Sequence, residues 1–273
     1  MQIISIFAAV KKLIDIIYPI AAELAQFEAF FAQTLKADTE PMDSIMRYVL
    51  DTRGKRLRPI LVLLSTKLFG EINDQTIRAA TFVEMVHSAT LIHDDVVDDA
   101  DSRRKKASVK AQFGNLSAVL AGDYLLAKAM LLLSNPDDHA ILQEMLNTTT
   151  AMSEGELMQT IVADCVSQSE NPTQYLDIIT RKTALLMRSC CVSGALSVNA
   201  TPEQVKQLAN FGLNFGILFQ LRDDILDGEN TAKAQTLLPE YLQKTLDSLK
   251  VFPNSEALEV LQDLTVFCAE RNS

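Results

Sequence analysis

The sequence predicts an all-α protein folded as a single domain over residues 1–273. Three observations carry that expectation. Apolar residues recur at the three-to-four spacing of a helix through almost every segment. No run alternates polar and apolar residues for long enough to make a useful strand, and no hairpin turn joins such runs. Proline, glycine and capping residues punctuate the apolar segments, while no repeat, low-complexity tract or charged linker marks a domain boundary.

Taken in order, residues 1–36 read as one or two helices, broken near Pro19 and ended by KADTEP. The opening MQIISIFAAVKKLIDIIYPI keeps Lys11, Lys12 and Asp15 and lacks a basic start and a cleavage site. It therefore reads as an amphipathic helix packed on the core, not a signal peptide. A helix restarts over 42–51 after Pro41. PILVLLSTKLF, 59–69, is a buried helix entered at Pro59, a favoured first-turn position. Asp74 and Thr76 are candidate caps for the long apolar helix 76–99. After a basic turn, GNLSAVLAGDYLLAKAMLLLS, 114–134, forms a helix ended by Asn135-Pro136. Helices over 138–163 and 172–199 follow, the second opening around Pro172-Thr173. The helix 202–227 opens on Thr201-Pro202-Glu203. Residues 232–271 give two shorter helices on either side of Pro253-Asn254-Ser255.

Composition narrows the function classes. With 273 residues, 48% hydrophobic content and a mean hydropathy of +0.11, the chain is globular and buries a sizeable core. A net charge of -10 argues against nucleic acid and against an anionic membrane surface as the main partner. An anionic ligand must then be held by local basic clusters or by metal, and two such clusters exist, RGKRLRP at 53–59 and RRKK at 103–106. Cys165, Cys190, Cys191 and Cys268 form no CxxC pair and no Cys/His spacing, and read as buried thiols of a reducing cytoplasm. No stretch is apolar without interruption for the length of a transmembrane helix. Met130, Met145, Met152, Met158 and Met187 read as core or cavity filler.

The chemistry concentrates in LIHDDVVDDADSRR, residues 91–104. Asp94 and Asp98 lie one helical turn apart and share a face, with Asp95 beside them. Like charges at that spacing repel, and a hard divalent cation such as Mg²⁺, which prefers carboxylate and phosphate oxygens, removes the cost. A second cluster, QLRDDILDGE, repeats the spacing in Asp223, Asp224 and Asp227. Each cluster follows a long apolar helix. The pattern suggests two helices facing each other across a cavity, metal ions between them gripping a diphosphate, and apolar walls below for a greasy tail. Lys55 and Arg58, three apart behind Gly54, could converge on one phosphate group.

The ordered segments GKRLRP (54–59), HSATLIHDDVVD (87–98), Arg103-Arg104, FGN (113–115), GDYLLAKA (122–129), SEGELMQ (153–159), Lys182-Thr183 and FQLRDDILD (219–227) resemble the trans-polyprenyl diphosphate synthases, octaprenyl and other long-chain members included. The resemblance covers roughly residues 20–227. It implies an isoprenoid-synthase helical bundle around a central cavity, a homodimer, and Mg²⁺ as cofactor. It also implies the substrates, isopentenyl diphosphate and an allylic prenyl diphosphate, condensed head to tail. Lys55, Arg58, His87 and Arg104 would hold the isopentenyl diphosphate. Asp94 and Asp98 would ligate Mg²⁺ with Asp95 close by, and Arg103 would contact the allylic diphosphate. Lys182, Thr183 and Gln220 would line the allylic site, and Asp223, with Asp224 and Asp227, would complete the metal cluster. Glu154 and Glu156 fall in a family motif but receive no direct role.

Product length follows from the same resemblance. Thr90, Ala89, Val86 and Val83 would line the cavity beneath Asp94, where the family uses a bulky aromatic to stop growth early. None is bulky here, and Val83 lies roughly 16 Å below the acidic rim at helical rise, which suits a medium or long product. Leu125, Ala129 and Leu133 on the opposing helix are candidates for the floor.

One departure stands out. After Asp227 the family continues through a glycine-rich loop with a further lysine, but here Gly228-Glu229-Asn230-Thr231 runs straight into AKAQTLLPEYLQ. The loop, its lysine and a flexible lid are missing, and Lys233 sits in a context that does not match. Two alternatives to an active synthase therefore stay open. One is a prenyl-diphosphate-binding subunit with little activity of its own. The other is a class I terpene cyclase, which GKRLRP and Arg103-Arg104 disfavour because a cyclase binds no second diphosphate.

Overall fold

Helix packing against helix organises the molecule, as the periodicity predicts. The structure, a computed structural model, describes residues 12–52, 54–165 and 172–272, and the side chains of 160–165 and 172–173 lie outside that description. Residues 1–11 of the expected N-terminal helix, Arg53 and the Cys165 thiol therefore fall outside the described residues.

Pro19 acts as the expected break: a short helical turn α1 (Leu13–Ile16) passes through a 3₁₀ turn at Tyr18–Ile20 into α2 (Ala21–Leu35). α3 (Glu40–Asp51) starts before Pro41, which occupies its first turn, where its missing N–H leaves no bond unmade. α4 (Leu57–Lys67) likewise begins two residues ahead of Pro59. Its residues are buried on every side except at Arg58 and Lys67. α5 (Asp74–Val97) is capped by Asn73, whose side chain accepts from Thr76 N while Thr76 reciprocates. The cap is thus one residue before Asp74, with Thr76 as its partner.

Two small elements were not legible. Ser102–Arg103 pairs antiparallel with Lys106–Ala107, a ladder too short to show alternation. Val109–Phe113 forms a five-residue helix, α6, capped by Ser108. Beyond them run α7 (Asn115–Leu132) and α8 (His139–Cys165). The segment expected as one helix over 172–199 is α9 (Pro172–Ile179), a π-helical turn at Thr180–Ala184, and α10 (Leu185–Leu196). α11 (Pro202–Asp227) opens on a reciprocal Thr201–Gln204 cap. α12 (Thr231–Leu249) and α13 (Glu256–Glu270) close the described chain, α12 tolerating Pro239 inside it.

α4 and α10 form the centre, flanked by α5 and α11. Thr66 Oγ1 of α4 donates to Gly194 O of α10 at 3.0 Å, so the two central helices share a buried polar tie as well as apolar contact. Ile60, Leu61, Leu63 and Leu64 of α4 are fully buried; each contributes roughly 1.5–3 kcal/mol by leaving water. A smaller apolar cluster joins Tyr175, Ile179 and Ala184 to Leu218 and Leu221 of α11 and Ala234 of α12. The start of α4, the ends of α5 and α11, and the π turn carry the residues singled out in the sequence.

α7 adds an unexpected property. It is long and apolar enough to cross a membrane, the one such helix among the described residues, although no such stretch was expected. Ala118, Ala121, Gly122, Leu125 and Ala129 pack it inward, and Leu116, Leu120 and Leu131 are exposed. Met130, expected as filler, is exposed too, while Met145, Met152 and Met187 are buried.

Candidate active site

A basic cavity of about 600 Å³ opens at the start of α4, lined by Gly54 to Arg58, Glu84, His87, Arg104, Phe219, Asp223 and Arg271. Its shape begins with Arg56, held at φ 56 in the left-handed region. That conformation is costly for a side chain with a Cβ, and a buried ion triad holds it. Arg56 Nε lies 2.8 Å from Glu28 Oε1 and Nη1 2.6 Å from Glu84 Oε1, with the guanidinium over the Phe31 ring. Arg56 is thus committed to the interior, and its neighbours Lys55 and Arg58 line the cavity. The positive end of the α4 dipole adds to their charge.

Arg58 Nη1 lies 2.9 Å from His87 Nε2. A guanidinium has only donors, so Nε2 must be the acceptor and His87 a neutral imidazole protonated on Nδ1. Burial, then the nearby Arg58 and Arg104, push the His87 pKa well below its usual value. Arg104 reaches the same cavity because Gly54 has no Cβ: one placed there would stand 2.5 Å from Arg104 Nη2. Arg104 Nη1 donates to Thr52 O at 2.9 Å. The Nε atoms of Arg58 and Arg271 are buried without a protein partner, an arrangement that costs free energy.

The first acidic cluster divides its labour. Asp95 is buried and accepts from Arg103 Nε at 2.7 Å, so Arg103 is turned onto the cluster itself. Asp98 caps α5 and is exposed. Asp94 lies between, and burial, with Glu156 and Asp98 nearby, raises its pKa to about 6. Lys182, the main opposing cation, is engaged by Glu156 Oε2 at 3.0 Å and Gln159 Oε1 at 3.1 Å. Glu156 therefore belongs to the site, a role that the sequence did not distinguish.

The second cluster divides in the same manner. Asp223 contacts Arg271 Nη2 at 2.5 Å and lines the basic cavity. Burial raises its pKa, a rise that Arg271 offsets in part. Asp227 is exposed at the end of α11. Asp224 is buried and lines a second cavity of about 300 Å³ with Lys182, Thr183, Gln220 and Lys233. α11 approaches the π turn closely at Gly216, where a Cβ would stand 2.5 Å from Ala184 Cα. One turn later Gln220 accepts from Thr183 Oγ1 at 2.7 Å.

Of the residues predicted from sequence, Lys55, Arg58, His87, Arg104 and Asp223 line one cavity and Lys182, Thr183, Gln220 and Asp224 the other. Asp95 and Arg103 line a smaller one of about 50 Å³ beside His87 and Arg104, and Asp227 lines none of the three. Asp94 and Asp98 line none of them, and no three His, Cys, Asp or Glu side chains converge on one point among the described residues. Asp94 with Asp98 and Asp223 with Asp227 stand one turn apart at the ends of α5 and α11, and such carboxylate pairs, with the rest of the shell left to other oxygens, are a donor set that suits Mg²⁺. Val83, Val86 and Ala89 are buried in the core and Thr90 is half-buried; none lines any of these cavities. Leu125, Ala129 and Leu133 are buried as well. Sequence reasoning missed Arg271 and Tyr175, both brought in by tertiary contact alone.

Comparison with known proteins puts these cavities in context. The family model of polyprenyl synthetase matches residues 39–236. Octaprenyl diphosphate synthase of Escherichia coli (strain K12) is 33% identical over 208 residues, 76% of this chain and 64% of that protein. Heptaprenyl diphosphate synthase component 2 of Bacillus subtilis (strain 168) is 38% identical over 203 residues, 73% of this chain and 57% of that one. The match thus spans less than two thirds of the length of either relative. Among solved structures, polyprenyl synthase from Caulobacter crescentus CB15, complexed with calcium and isoprenyl diphosphate, superposes with a TM-score of 0.88. It covers 97% of this chain and 99% of that one at 24% identity, a likeness of fold.

Proposed function

Since the chain belongs to the polyprenyl synthetase family, we propose that it is a prenyltransferase. It condenses isopentenyl diphosphate with an allylic prenyl diphosphate to make a medium- or long-chain trans-polyprenyl diphosphate. The observation that carries this reading is the basic cavity, where Lys55, Arg58, Arg104 and Arg271 gather around a neutral His87. A diphosphate supplies the opposing negative charge.

In this reading Lys55, Arg58 and Arg104 hold the isopentenyl diphosphate, with His87 orienting Arg58. Lys182, Thr183 and Gln220 face the allylic diphosphate. Lys182 exchanges Glu156 for a phosphate oxygen, the stronger acceptor when three formal charges gather there. Asp94, Asp98, Asp223 and Asp227 are the carboxylates that would hold Mg²⁺, which neutralises the leaving diphosphate when bound. Asp95 fixes Arg103 at that rim. The allylic C–O bond breaks with its electron pair on the diphosphate. The isopentenyl double bond then forms the new C–C bond, and a proton leaves, with the departing diphosphate as its acceptor. The side chains act by position and charge, not by covalent chemistry.

The partner is a second copy of the chain. Leu116, Leu120 and Leu131 expose one apolar stripe along α7, whose Asp123 and Lys128 suit a protein neighbour better than lipid. The reducing cytoplasm is the proposed compartment, in keeping with the buried thiols of Cys190, Cys191 and Cys268. A second reading, a diphosphate-binding subunit with little turnover, is favoured by the three residues that separate α11 from α12. Incubation of the pure protein with Mg²⁺, isopentenyl diphosphate and farnesyl diphosphate, with products resolved by chain length, separates the two. Elongated product supports the synthase; binding without any elongation at any metal concentration overturns it.

A further inference from the structure

Both oxygens of Asp224 already accept hydrogen bonds. Tyr175 Oη donates to Oδ2 at 2.5 Å and Gln220 Nε2 to Oδ1 at 2.7 Å. Gln220 accepts in turn from Thr183. The chain of contacts runs from α9 through α11 to the π turn, and Tyr175, Asp224 and Thr183 are each less than a tenth exposed. Among the described residues no Lys, Arg or His forms an ion pair with Asp224, so two neutral donors alone satisfy a buried carboxylate. Such a group is held in one orientation, because turning it forfeits a bond to a donor fixed in place.

An amide such as Gln220 can face either way, since its oxygen and nitrogen are nearly equal in size. The carboxylate removes the choice. With Oδ1 taking the Gln220 amide hydrogens, the Gln220 oxygen must face Thr183. Tyr175 also lines this cavity, but its hydroxyl is spent on Asp224. We propose that Tyr175 is a positioning residue for the wall formed by Lys182, Thr183 and Gln220: its hydroxyl locks Asp224, and through Asp224 the direction of Gln220. The inference rests on reading that wall as the allylic diphosphate site. It assigns Asp224 to this lock, and leaves Asp223 and Asp227 as the carboxylates of that cluster available at the rim.

Tyr175→Phe removes one buried oxygen and keeps the ring's packing against Ile179 and Leu221. The test is calorimetric titration of farnesyl thiolodiphosphate in the presence of Mg²⁺, with steady-state kinetics for each substrate. Tyr175→Phe is expected to weaken analogue binding and raise the KM for farnesyl diphosphate about tenfold, the scale of one hydrogen bond to a charged group. The KM for isopentenyl diphosphate should stay within about twofold. In an Asp224→Ala background the same substitution should add less than about twofold, since the group it acts through is gone.

Unchanged analogue binding, an equal rise in both KM values, or additive effects in the double variant would overturn the proposal. So would a collapse of thermal stability in Tyr175→Phe, which would make the hydroxyl a structural bond. Wild-type protein that fails to bind the analogue overturns the allylic reading, and the inference falls with it. Wild type that binds beside an indifferent Tyr175→Phe overturns the inference alone.

Discussion

Arg271 Nη2 stands 2.5 Å from Asp223 Oδ1 and ties the segment beyond α13 to the second acidic cluster. The arginine is gripped from both ends. Its carbonyl oxygen accepts from Arg222 Nε at 2.8 Å, and its guanidinium lies over the Phe219 ring, 4.5 Å from the centroid. It therefore reaches the basic cavity as a fixed cation. Arg271→Ala is expected to raise the KM for isopentenyl diphosphate about tenfold, a loss of roughly 1.4 kcal/mol, with the allylic KM within about twofold. Kinetics with each substrate varied in turn check this, and an unchanged isopentenyl KM would limit Arg271 to docking α13.

Asp94 gives a pH signature. Its pKa is raised from 3.8 to about 6, so the folded state holds a proton that the unfolded state releases between those values. Stability from this group is therefore greatest at low pH and falls as pH rises from about 4 to 6. Asp94→Asn removes the penalty: at pH 7.5 the metal-free variant should be more stable than wild type by on the order of 1 kcal/mol, allowing for partial exposure. The gap should close below about pH 4. Turnover should be lost at every pH. Urea melts at two pH values test the sign, and equal stability at pH 7.5 would contradict it.

The hairpin after α5 predicts a stabilising change. Arg104 and Lys105 both have positive φ, 52° and 65°, and join Arg103 to Lys106 in a two-residue turn. Such turns favour Asn and Gly, and side chains there cost about 1 kcal/mol or more each. Arg104 is held by Thr52 O, whereas Lys105 is exposed. Lys105→Gly should raise stability by roughly 0.5 kcal/mol, the strain relieved less the entropy that glycine adds to the unfolded chain. Thermal melting checks it, and a lower melting temperature would refute it.

α7 predicts the assembly state. Leu120→Glu with Leu131→Glu places two charges on the exposed stripe without touching the buried Ala118, Leu125 or Ala129. A dimer by light scattering should become a monomer with unchanged helical content. A variant that stays dimeric would place the interface elsewhere.

Much of this was legible because long apolar helices bounded by prolines and caps advertise themselves over many residues, while the misses are short or tertiary. The Asn73 cap was off by one because Asp74 and Thr76 are equally good formers. The two-residue ladder and α6 are too brief for any period. In GKRLRP three cations look alike; only the left-handed turn at Arg56 sends one inward to Glu28 and Glu84. The two acidic triplets were visible at once, yet spacing could not reveal that Asp95 and Asp224 are buried and bound by Arg103 and by Tyr175. Arg271 carries no local signal at all.

The connection from α11 to α12 has one more consequence. Gly228, at φ 78, and Asn230, at φ 43, fold three residues into a link that spans at most about 11 Å when extended. A link so taut cannot swing over the rim as a flap. Movement of this part of the molecule carries α11 and α12 together, as a shear of two packed helices past α10. Shear amplitudes are small. In the proposed synthase, side-chain rotamers of Lys182 and Asp227 would then govern how quickly the cleft admits substrate and sheds product.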